Sequence, residues 1–235
     1  MTHSTFKQFL SEEGPAFLKE LPRSIAAELA QYKKEMPIAT LMRGQKRAVL
    51  DQEPIAYINS MVPDPASDGR GNYVLKLHKF MINKDRPSVS MNDELQVKLD
   101  DGFERAYGVK PRKSSMFCVR VSGDGYGIGF ARDYGTPCMV MPVNGYKYMW
   151  SLEYDDLFFA TTPENIPADP TPEQVDKFIK KARYRVNTEL DGVPAGHEIM
   201  IYESDYYYCV SAWSFTGRVP IDRPADDEGF VLSML

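Results

Sequence analysis

Cysteine and histidine are scarce in this sequence of 235 residues, which contains three of each. The cysteines Cys118, Cys138 and Cys209 have no paired spacing, which argues against a disulfide framework and against a zinc site. The histidines form neither an HxH nor an HxxxH pair, so the sequence does not indicate a histidine metal centre. We therefore expect no metal, and the cysteine usage fits the reducing cytoplasm best.

Long apolar runs are also missing. No stretch approaches the roughly 18 to 20 apolar residues that cross a bilayer, and the N-terminal MTHSTFKQFLSEEG lacks the basic and apolar regions of a signal peptide. The GxSxG and GxxxxGK[ST] motifs are absent as well, which argues against the nucleophile elbow and the phosphate loop that they form. The sequence predicts no membrane partner.

The charge balance is mildly acidic. Lys and Arg total 28, Asp and Glu total 33, and the formal net charge is -5 with a pI near 5.3. These values argue against a general polyanion binder, although they leave room for a local basic patch such as Arg43, Lys46 and Arg47. A nucleic acid therefore remains possible as a substrate and is not expected as a scaffold.

The length and the hydrophobic content of 43% suit one larger α+β domain. Residues 1–36 predict a helical lead-in, because the apolar residues between Ala16 and Glu35 recur at helical spacing on both sides of Pro22. Residues 37–235 predict a single α+β domain that begins with an apolar strand from Ile38 to Met42. No internal repeat and no linker divides this part of the chain.

Two longer helices are indicated by their caps and apolar stripes. One is capped by Ser90 and ended by Gly108, and the other begins at the capping box Thr171-Pro-Glu-Gln174. The apolar runs between them, MFCVRV, PCMVMPV and YKYMWS, predict strands. The glycine-dense GDGYGIG at 123–129 predicts a hairpin tip or lid, and PDPASDGRGN at 63–72 predicts a surface loop.

Glu198 is a charged residue at the head of an apolar run. The stretch AGHEIMIYESDYYYCV predicts a hairpin, with EIMIY as one strand, a turn at Glu203-Ser-Asp205, and YYYCVSAW as the other strand. The simple interpretation makes Glu198 an exposed strand residue near a lysine and Arg43 a surface residue at a strand end. The alternative is that both residues bind a ligand.

Two segments favour the second interpretation through a family resemblance. LMRG resembles the aromatic-or-aliphatic-x-Arg-Gly of the first core strand in mono-ADP-ribosyltransferases. GHEIMIYESDYYYCV is similar to that family's ending, in which a catalytic glutamate is followed by three apolar residues, a short polar turn and an aromatic-ending strand. The block from Arg86 to Asp156 also resembles a set of phage-encoded proteins that are assigned to this fold.

The resemblance implies a split β-sandwich around a cleft, with NAD as the substrate. It implies that Glu198 is catalytic and holds the nicotinamide ribose, and that Arg43, beside Gly44, binds a phosphate of NAD. Ser115 is assigned a cofactor-binding role near the family's serine position, although here the serines precede Phe117 instead of following it. Tyr206 is assigned to stacking on a ring of the cofactor.

The implied function is an NAD-dependent mono-ADP-ribosyltransferase or an NAD glycohydrolase in the cytoplasm, which is the host cytoplasm if the chain is phage-encoded. The acceptor stays open among protein, nucleic acid and water. Family members that modify arginine carry Glu or Gln two residues before the catalytic glutamate, whereas this chain has Gly196, so arginine is not indicated as the acceptor. The alternative function is a non-catalytic phage structural or interaction protein with an α+β fold.

Overall fold

The fold is α+β and is built on a large antiparallel sheet, which confirms the predicted class. The computed structural model describes residues 16–36, 40–63, 70–84, 93–122, 126–188 and 190–211. Within these ranges no helix is both long enough and apolar enough to cross a membrane.

The nine strands of the described residues form one hydrogen-bonded sheet in which every neighbouring pair is antiparallel. The strands are β1 (Thr40–Gln45), β2 (Ala56–Pro63), β3 (Arg70–Met81), β4 (Met116–Val121), β5 (Thr136–Pro142), β6 (Lys147–Ser151), β7 (Tyr184–Val186), β8 (Glu198–Tyr202) and β9 (Tyr206–Ser211). Their order across the sheet is β2-β3-β9-β5-β1-β4-β8-β6-β7.

Eight α-helical segments accompany the sheet in the described part of the chain. They are α1 (Arg23–Glu28), α2 (Ala30–Glu35), α3 (Arg47–Leu50), α4 (Asp93–Tyr107), α5 (Pro111–Ser114), α6 (Ile128–Arg132), α7 (Leu157–Ala160) and α8 (Pro172–Ala182). Short 3₁₀ turns lie at Ala16–Lys19 and Leu190–Gly192.

The two longer helices, α4 and α8, form where their apolar stripes predict them, and α8 has the predicted capping box. Thr171 accepts a hydrogen bond from the backbone of Gln174 at 3.4 Å, and the Gln174 side chain accepts one from the Thr171 backbone at 2.8 Å. The stripe of α4 is buried at Leu99 and Phe103, and the two helices pack against each other. Gly108 ends α4 with a φ of 74°. The predicted cap Ser90 lies outside the described residues.

The middle of the sheet separates two apolar cores, because successive side chains of a strand point to opposite faces. Ile199 of β8 belongs to the larger core, while the next residue, Met200, packs with α4 and α8 in the smaller core. Cys118 and Phe117 of β4 divide in the same way. Both faces of these strands are therefore covered.

The helical lead-in packs directly on the sheet. Leu29, Tyr32 and Met36 are fully buried in the larger core. Glu28 accepts hydrogen bonds from the hydroxyls of Tyr206 at 2.9 Å and Tyr208 at 2.6 Å. These contacts tie α1 and α2 to β9.

The predicted C-terminal hairpin is wrong, although both of its strands exist. β8 pairs with β4 and β6, whereas β9 pairs with β3 and β5, and three strands separate the two. Both strands are apolar on both faces and buried, so each is stabilised by a neighbour on either side more than by the sequence-adjacent strand. The turn at Glu203, with a φ of 56°, carries the chain across the sheet.

Three local expectations also change. The first strand runs from Thr40 to Gln45, so it includes Arg43 and Gly44; residues 38–39 lie outside the described part. The expected loop at 63–72 begins and ends within strands, and only 64–69 are left undescribed. In the glycine-dense segment, Gly127 adopts a φ of 98° and leads directly into α6, so its described part is not a hairpin tip.

Gly44 permits the closest contact between β1 and the segment that follows α6. A Cβ at Gly44 would lie 2.6 Å from the carbonyl carbon of Tyr134 and closer still to the carbonyl oxygen of Ala131. Atoms in backbone cannot move away as a flexible side chain can. The contact therefore requires glycine at this position of the strand.

We predict that Gly44→Ala lowers the free energy of unfolding by about 1 to 3 kcal/mol, the usual cost of overpacking. Urea denaturation measures the change. Gly129→Ala is the matched control, because a Cβ at Gly129 meets no atom within 4 Å and alanine favours helix α6. An unfolding midpoint of Gly44→Ala equal to that of the parent protein would contradict the packing argument.

Candidate functional site

Glu198 is the first residue of β8 and lies beside the segment that leads into α7. Its backbone N–H donates to the carbonyl of Asp155 at 2.6 Å, which fixes the start of the strand. Its side chain is half-buried, and Oε1 accepts a hydrogen bond from the backbone N–H of Leu157 at 3.4 Å. The carboxylate thus lies against the first turn of α7.

A second carboxylate, that of Asp156, lies at the same turn. Its Oδ1 accepts the N–H groups of Phe158 at 2.7 Å and Phe159 at 3.3 Å, which makes Asp156 the N-cap of α7. The residue is buried. Because Asp156 and Glu198 share the first turn of α7, the site carries two carboxylates in one small region.

The hydroxyl of Tyr134 completes this group. It lies 3.5 Å from Oδ2 of Asp156. Burial of the hydroxyl raises the pKa of Tyr134 to about 12, and the negative charges of Asp156 and Glu198 add to the increase. Tyr134 therefore keeps its proton at neutral pH and acts as a hydrogen-bond donor between the carboxylates and solvent. Its ring is 56% exposed, so the residue spans the boundary of the site.

The buried guanidinium of Arg112 lies behind the carboxylates on the same face of the sheet. Burial raises the pKa of Tyr184, the charge of Glu198 raises it further, and the charge of Arg112 acts in the opposite direction. Arg112 is 3% exposed, and its guanidinium lies over the Phe117 ring with 4.9 Å between its central carbon and the ring centroid. Its Nε has no hydrogen-bond partner among the described residues.

An open groove of about 390 Å³ adjoins Tyr134. It is lined by Gln45, Lys46, Arg47, Arg132, Tyr134, Gly135, Thr136 and Pro137. Three of these side chains are cationic. We call this the cationic groove, and Tyr134 is the residue that it shares with the two carboxylates.

The arrangement suits a ligand that carries both an anionic group and a centre that becomes positive. The carboxylates stabilise developing positive charge and accept hydrogen bonds from sugar hydroxyls. Arginine in the groove grips phosphate oxygens with two parallel hydrogen bonds. The site therefore has complementary charges at its two ends.

The sheet register separates the side chains of Arg43 and Glu198, although both charges act on the buried thiol of Cys118, whose pKa burial raises, Arg43 lowers and Glu198 raises further. Arg43 lies opposite Cys138 of β5, and Glu198 lies opposite Val119 of β4, which in turn lies opposite Met42 of β1. Since paired residues share a face and successive residues alternate, Arg43 and Glu198 point to opposite faces of the sheet.

Arg43 lies where two strands diverge. The pairs between β1 and β4 end at Met42 and Val119, and the next residue, Arg43, donates from Nη1 to the carbonyl of Phe117 at 3.1 Å. Its buried Nε has no partner among the described residues. In this position Arg43 satisfies a β4 carbonyl beside the gap between the strands.

Gly44, Ser115 and Tyr206 also lie apart from the carboxylate of Glu198. Gly44 supports the Tyr134 segment by packing against it. Ser115 is 2% exposed and precedes β4, next to the far end of β8, about 13 Å along the strand from Glu198. Tyr206 belongs to β9, which three strands separate from β8 in the sheet order, and its hydroxyl donates a hydrogen bond to Glu28.

Sequence reasoning missed Asp156, Tyr134 and Arg132 as site residues. The turn at Asp156 is predictable, because an aspartate before the run LFFA is an N-cap signal. Its proximity to Glu198 is not, since 42 residues separate them and only the sheet brings them together. Within the described residues no group of three or more His, Cys, Asp or Glu side chains is arranged to hold a metal ion.

No protein-family model matches the chain, and neither does any curated protein or solved structure.

A third carboxylate, that of Asp100, lies deeper on the same side of the sheet and supports Arg112. Asp100 is 4% exposed and accepts the backbone N–H of Arg112 at 2.7 Å. Burial raises its pKa to about 6, although hydrogen bonds from Arg112 and Lys113 and nearby positive charges act against the increase.

We predict that Asp100 makes the parent protein less stable at pH 7 than at pH 4, and that Asp100→Asn abolishes this difference. The Asp100 carboxyl has a pKa of about 6 in the folded protein and an ordinary pKa of 3.8. Between these two pH values the folded state therefore binds the proton more tightly than the unfolded state does. Raising the pH through this window therefore lowers the free energy of unfolding, by at most about 3 kcal/mol. Urea unfolding should show equal stability of both proteins at pH 4 and a more stable variant at pH 7. Parallel pH profiles would contradict the prediction.

Proposed function

We propose that this chain cleaves the glycosidic bond between nicotinamide and ribose in NAD, as a mono-ADP-ribosyltransferase or an NAD glycohydrolase. The observation that carries the proposal is the juxtaposition, at Tyr134, of a carboxylate pair and a cationic groove. A dinucleotide has an anionic diphosphate and a ribose whose anomeric carbon becomes positive when the bond breaks. Both features find a complementary charge here.

The reaction needs no metal and no strong acid. The C1′–N bond breaks, its electron pair goes to the ring nitrogen, and the cationic pyridinium leaves as neutral nicotinamide. The ribosyl cation then bonds to water or to a nucleophile of the acceptor, which loses a proton. A fixed carboxylate at the ribose lowers the barrier, because its attraction is greatest when the cation forms.

Glu198 is the residue that fits this role. Its carboxylate is held by the N–H of Leu157, and it lies at a half-buried position where water screens charge less than at the surface. Asp156 is committed to capping α7, so its part is to orient the Tyr134 hydroxyl. Tyr134 donates its hydroxyl proton in a hydrogen bond to Asp156, so its oxygen accepts a hydrogen bond from a hydroxyl of the bound sugar.

Two features of the topology support a more specific proposal than the α+β class, namely that the fold is a split β-sandwich of the ADP-ribosyltransferase kind. β1 and β4 diverge after Met42 and Val119, and Arg43 lies at the point of divergence. The consecutive strands β8 and β9 lie in different parts of the sheet. Each feature suits two half-sheets that meet at β1. Arg43 then takes a structural role, and the phosphate contact moves elsewhere.

The acceptor is water or a group other than arginine. Gly196 stands two residues before Glu198, with a φ of 88° that side chains rarely adopt. A Cβ there would lie 2.9 Å from the Phe130 ring. The backbone therefore disfavours the Glu or Gln that arginine-modifying members carry at this place.

The compartment proposed is the cytoplasm, or the host cytoplasm for a phage-encoded chain. All three cysteines are free and buried, as expected in a reducing environment. Cys138 and Cys209 are close enough for a hydrogen bond between their thiols and are nevertheless unbridged.

We predict that the protein releases nicotinamide from NAD and that Glu198→Gln reduces turnover by about 10²- to 10³-fold. Glutamine keeps the shape and the hydrogen bond from Leu157 while it removes the charge. The dissociation constant for NAD should change less than about threefold, because the lost interaction acts mainly in the transition state. Chromatography of nicotinamide measures turnover, and calorimetry measures binding.

Two controls make this experiment decisive. The unfolding midpoint of Glu198→Gln shows whether the variant is folded, and Glu203→Gln, in the exposed turn after β8, tests the loss of one negative charge elsewhere. Full activity of Glu198→Gln would show that the carboxylate is structural. If the parent protein releases no nicotinamide, alone or with a cell extract as a source of acceptors, the non-catalytic alternative replaces the proposal.

A further inference from the structure

The cationic groove stands out against the charge pattern of the chain. The net charge is -5, yet Lys46, Arg47 and Arg132 line one groove that no carboxylate lines. Asp133 is adjacent in sequence and exposed, and it does not belong to the lining. A local excess of positive charge in an acidic protein is costly through self-repulsion unless an anion offsets it.

Several surface cations of the described chain have a carboxylate partner. Examples are Lys84 with Asp205 at 2.6 Å and Arg183 with Glu153 at 2.7 Å. Lys46 and Arg47 have no ion-pair partner among the described residues. Both side chains are exposed and are accessible to an anionic ligand.

Paired strands and close backbone packing form the floor of the groove. β1 and β5 pair at Gln45 and Thr136, and Gly135 adopts a φ of 135° where a Cβ would lie 2.7 Å from the carbonyl oxygen of Gln45. Arg132 ends α6, and Lys46 and Arg47 leave β1 on the other side. Cations held on two packed elements form a site without a large rearrangement.

We infer that the cationic groove binds the diphosphate of a nucleotide, with Arg47, Arg132 and Lys46 as the phosphate ligands in place of Arg43. This inference rests on the proposed function for the orientation of the ligand. With the diphosphate in the groove, the adjoining ribose crosses Tyr134 and reaches the carboxylates of Glu198 and Asp156. The exposed Tyr134 ring gives the sugar or base a surface to pack on.

The volume and charge agree with this ligand. The groove encloses about 390 Å³, which is enough for part of a nucleotide. Three cations match a diphosphate, and two of them are arginines, whose planar groups bind phosphate oxygens in pairs.

The test measures binding of ADP-ribose, which has the diphosphate and both riboses but no nicotinamide to release. We expect Arg47→Ala and Arg132→Ala each to weaken binding by about 10- to 100-fold, as for other hydrogen bonds to charged groups. Arg23→Ala is the matched control, because Arg23 is an exposed cation on α1 and its loss changes the net charge equally. Calorimetry at two salt concentrations should show weaker binding at the higher salt.

Smaller probes identify the group that is recognised. Inorganic pyrophosphate should compete with ADP-ribose, and adenosine should not. Failure of ADP-ribose to bind, equal affinity of the Arg47 and Arg132 variants, competition by adenosine alone, or selective loss of binding in Arg43→Ala would each overturn the inference.

The outcome is separable from that of the proposed function. If ADP-ribose binds through Arg47 and Arg132 but NAD is not cleaved, the groove assignment stands and the enzyme proposal fails. If Glu198 supports NAD cleavage but the groove variants bind and turn over NAD normally, the enzyme proposal stands and the groove assignment fails.

Discussion

The contact between the β1 backbone at Gly44 and the segment after α6 is the constraint on which the site depends. It places the Tyr134 segment directly on the strand, because no side chain separates the two backbones. Tyr134 then reaches Asp156, and Asp156 shares the first turn of α7 with Glu198. The same close approach forms one wall of the cationic groove. The family resemblance assigns Gly44 to cofactor binding. In the structure Gly44 acts through packing, so the chemistry of the site depends on it only indirectly.

Sequence predicted the local elements of this fold better than their pairing. The helices around Leu99 and after Thr171 follow from side-chain period and capping, which are local properties. The strands β4, β5 and β6 follow from apolar runs. Such runs do not specify which strand lies beside which, and when both faces are buried they carry no alternation from which to infer a partner. The expected pairing of β8 with β9 failed for this reason.

The sequence predicted one residue of the carboxylate site, Glu198, but not the residues that surround it. Glu198 draws attention because a carboxylate before an apolar run is costly to bury without a partner. The sequence did not assign Arg43 to a face of the sheet, because a strand that ends at Met42 leaves the direction of the next side chain open. In the structure the strand continues to Gln45, so the alternation of side chains along the strand fixes the direction of Arg43. Asp156, Tyr134 and the groove cations lie far apart in sequence and share no motif, so only the tertiary structure relates them.

The position of β9 has a consequence for biosynthesis. β3 has only β2 and β9 as neighbours, so the β2–β3 pair joins the rest of the sheet through residues 206–211. A ribosome makes these residues long after β3, and until they emerge the inner edge of β3 has unpaired N–H and C=O groups. Open strand edges pair readily with other chains, and contacts between distant parts of a sequence form slowly. The nascent chain is therefore exposed to misassembly until β9 is made, and a chaperone that covers β3 would protect it during that time.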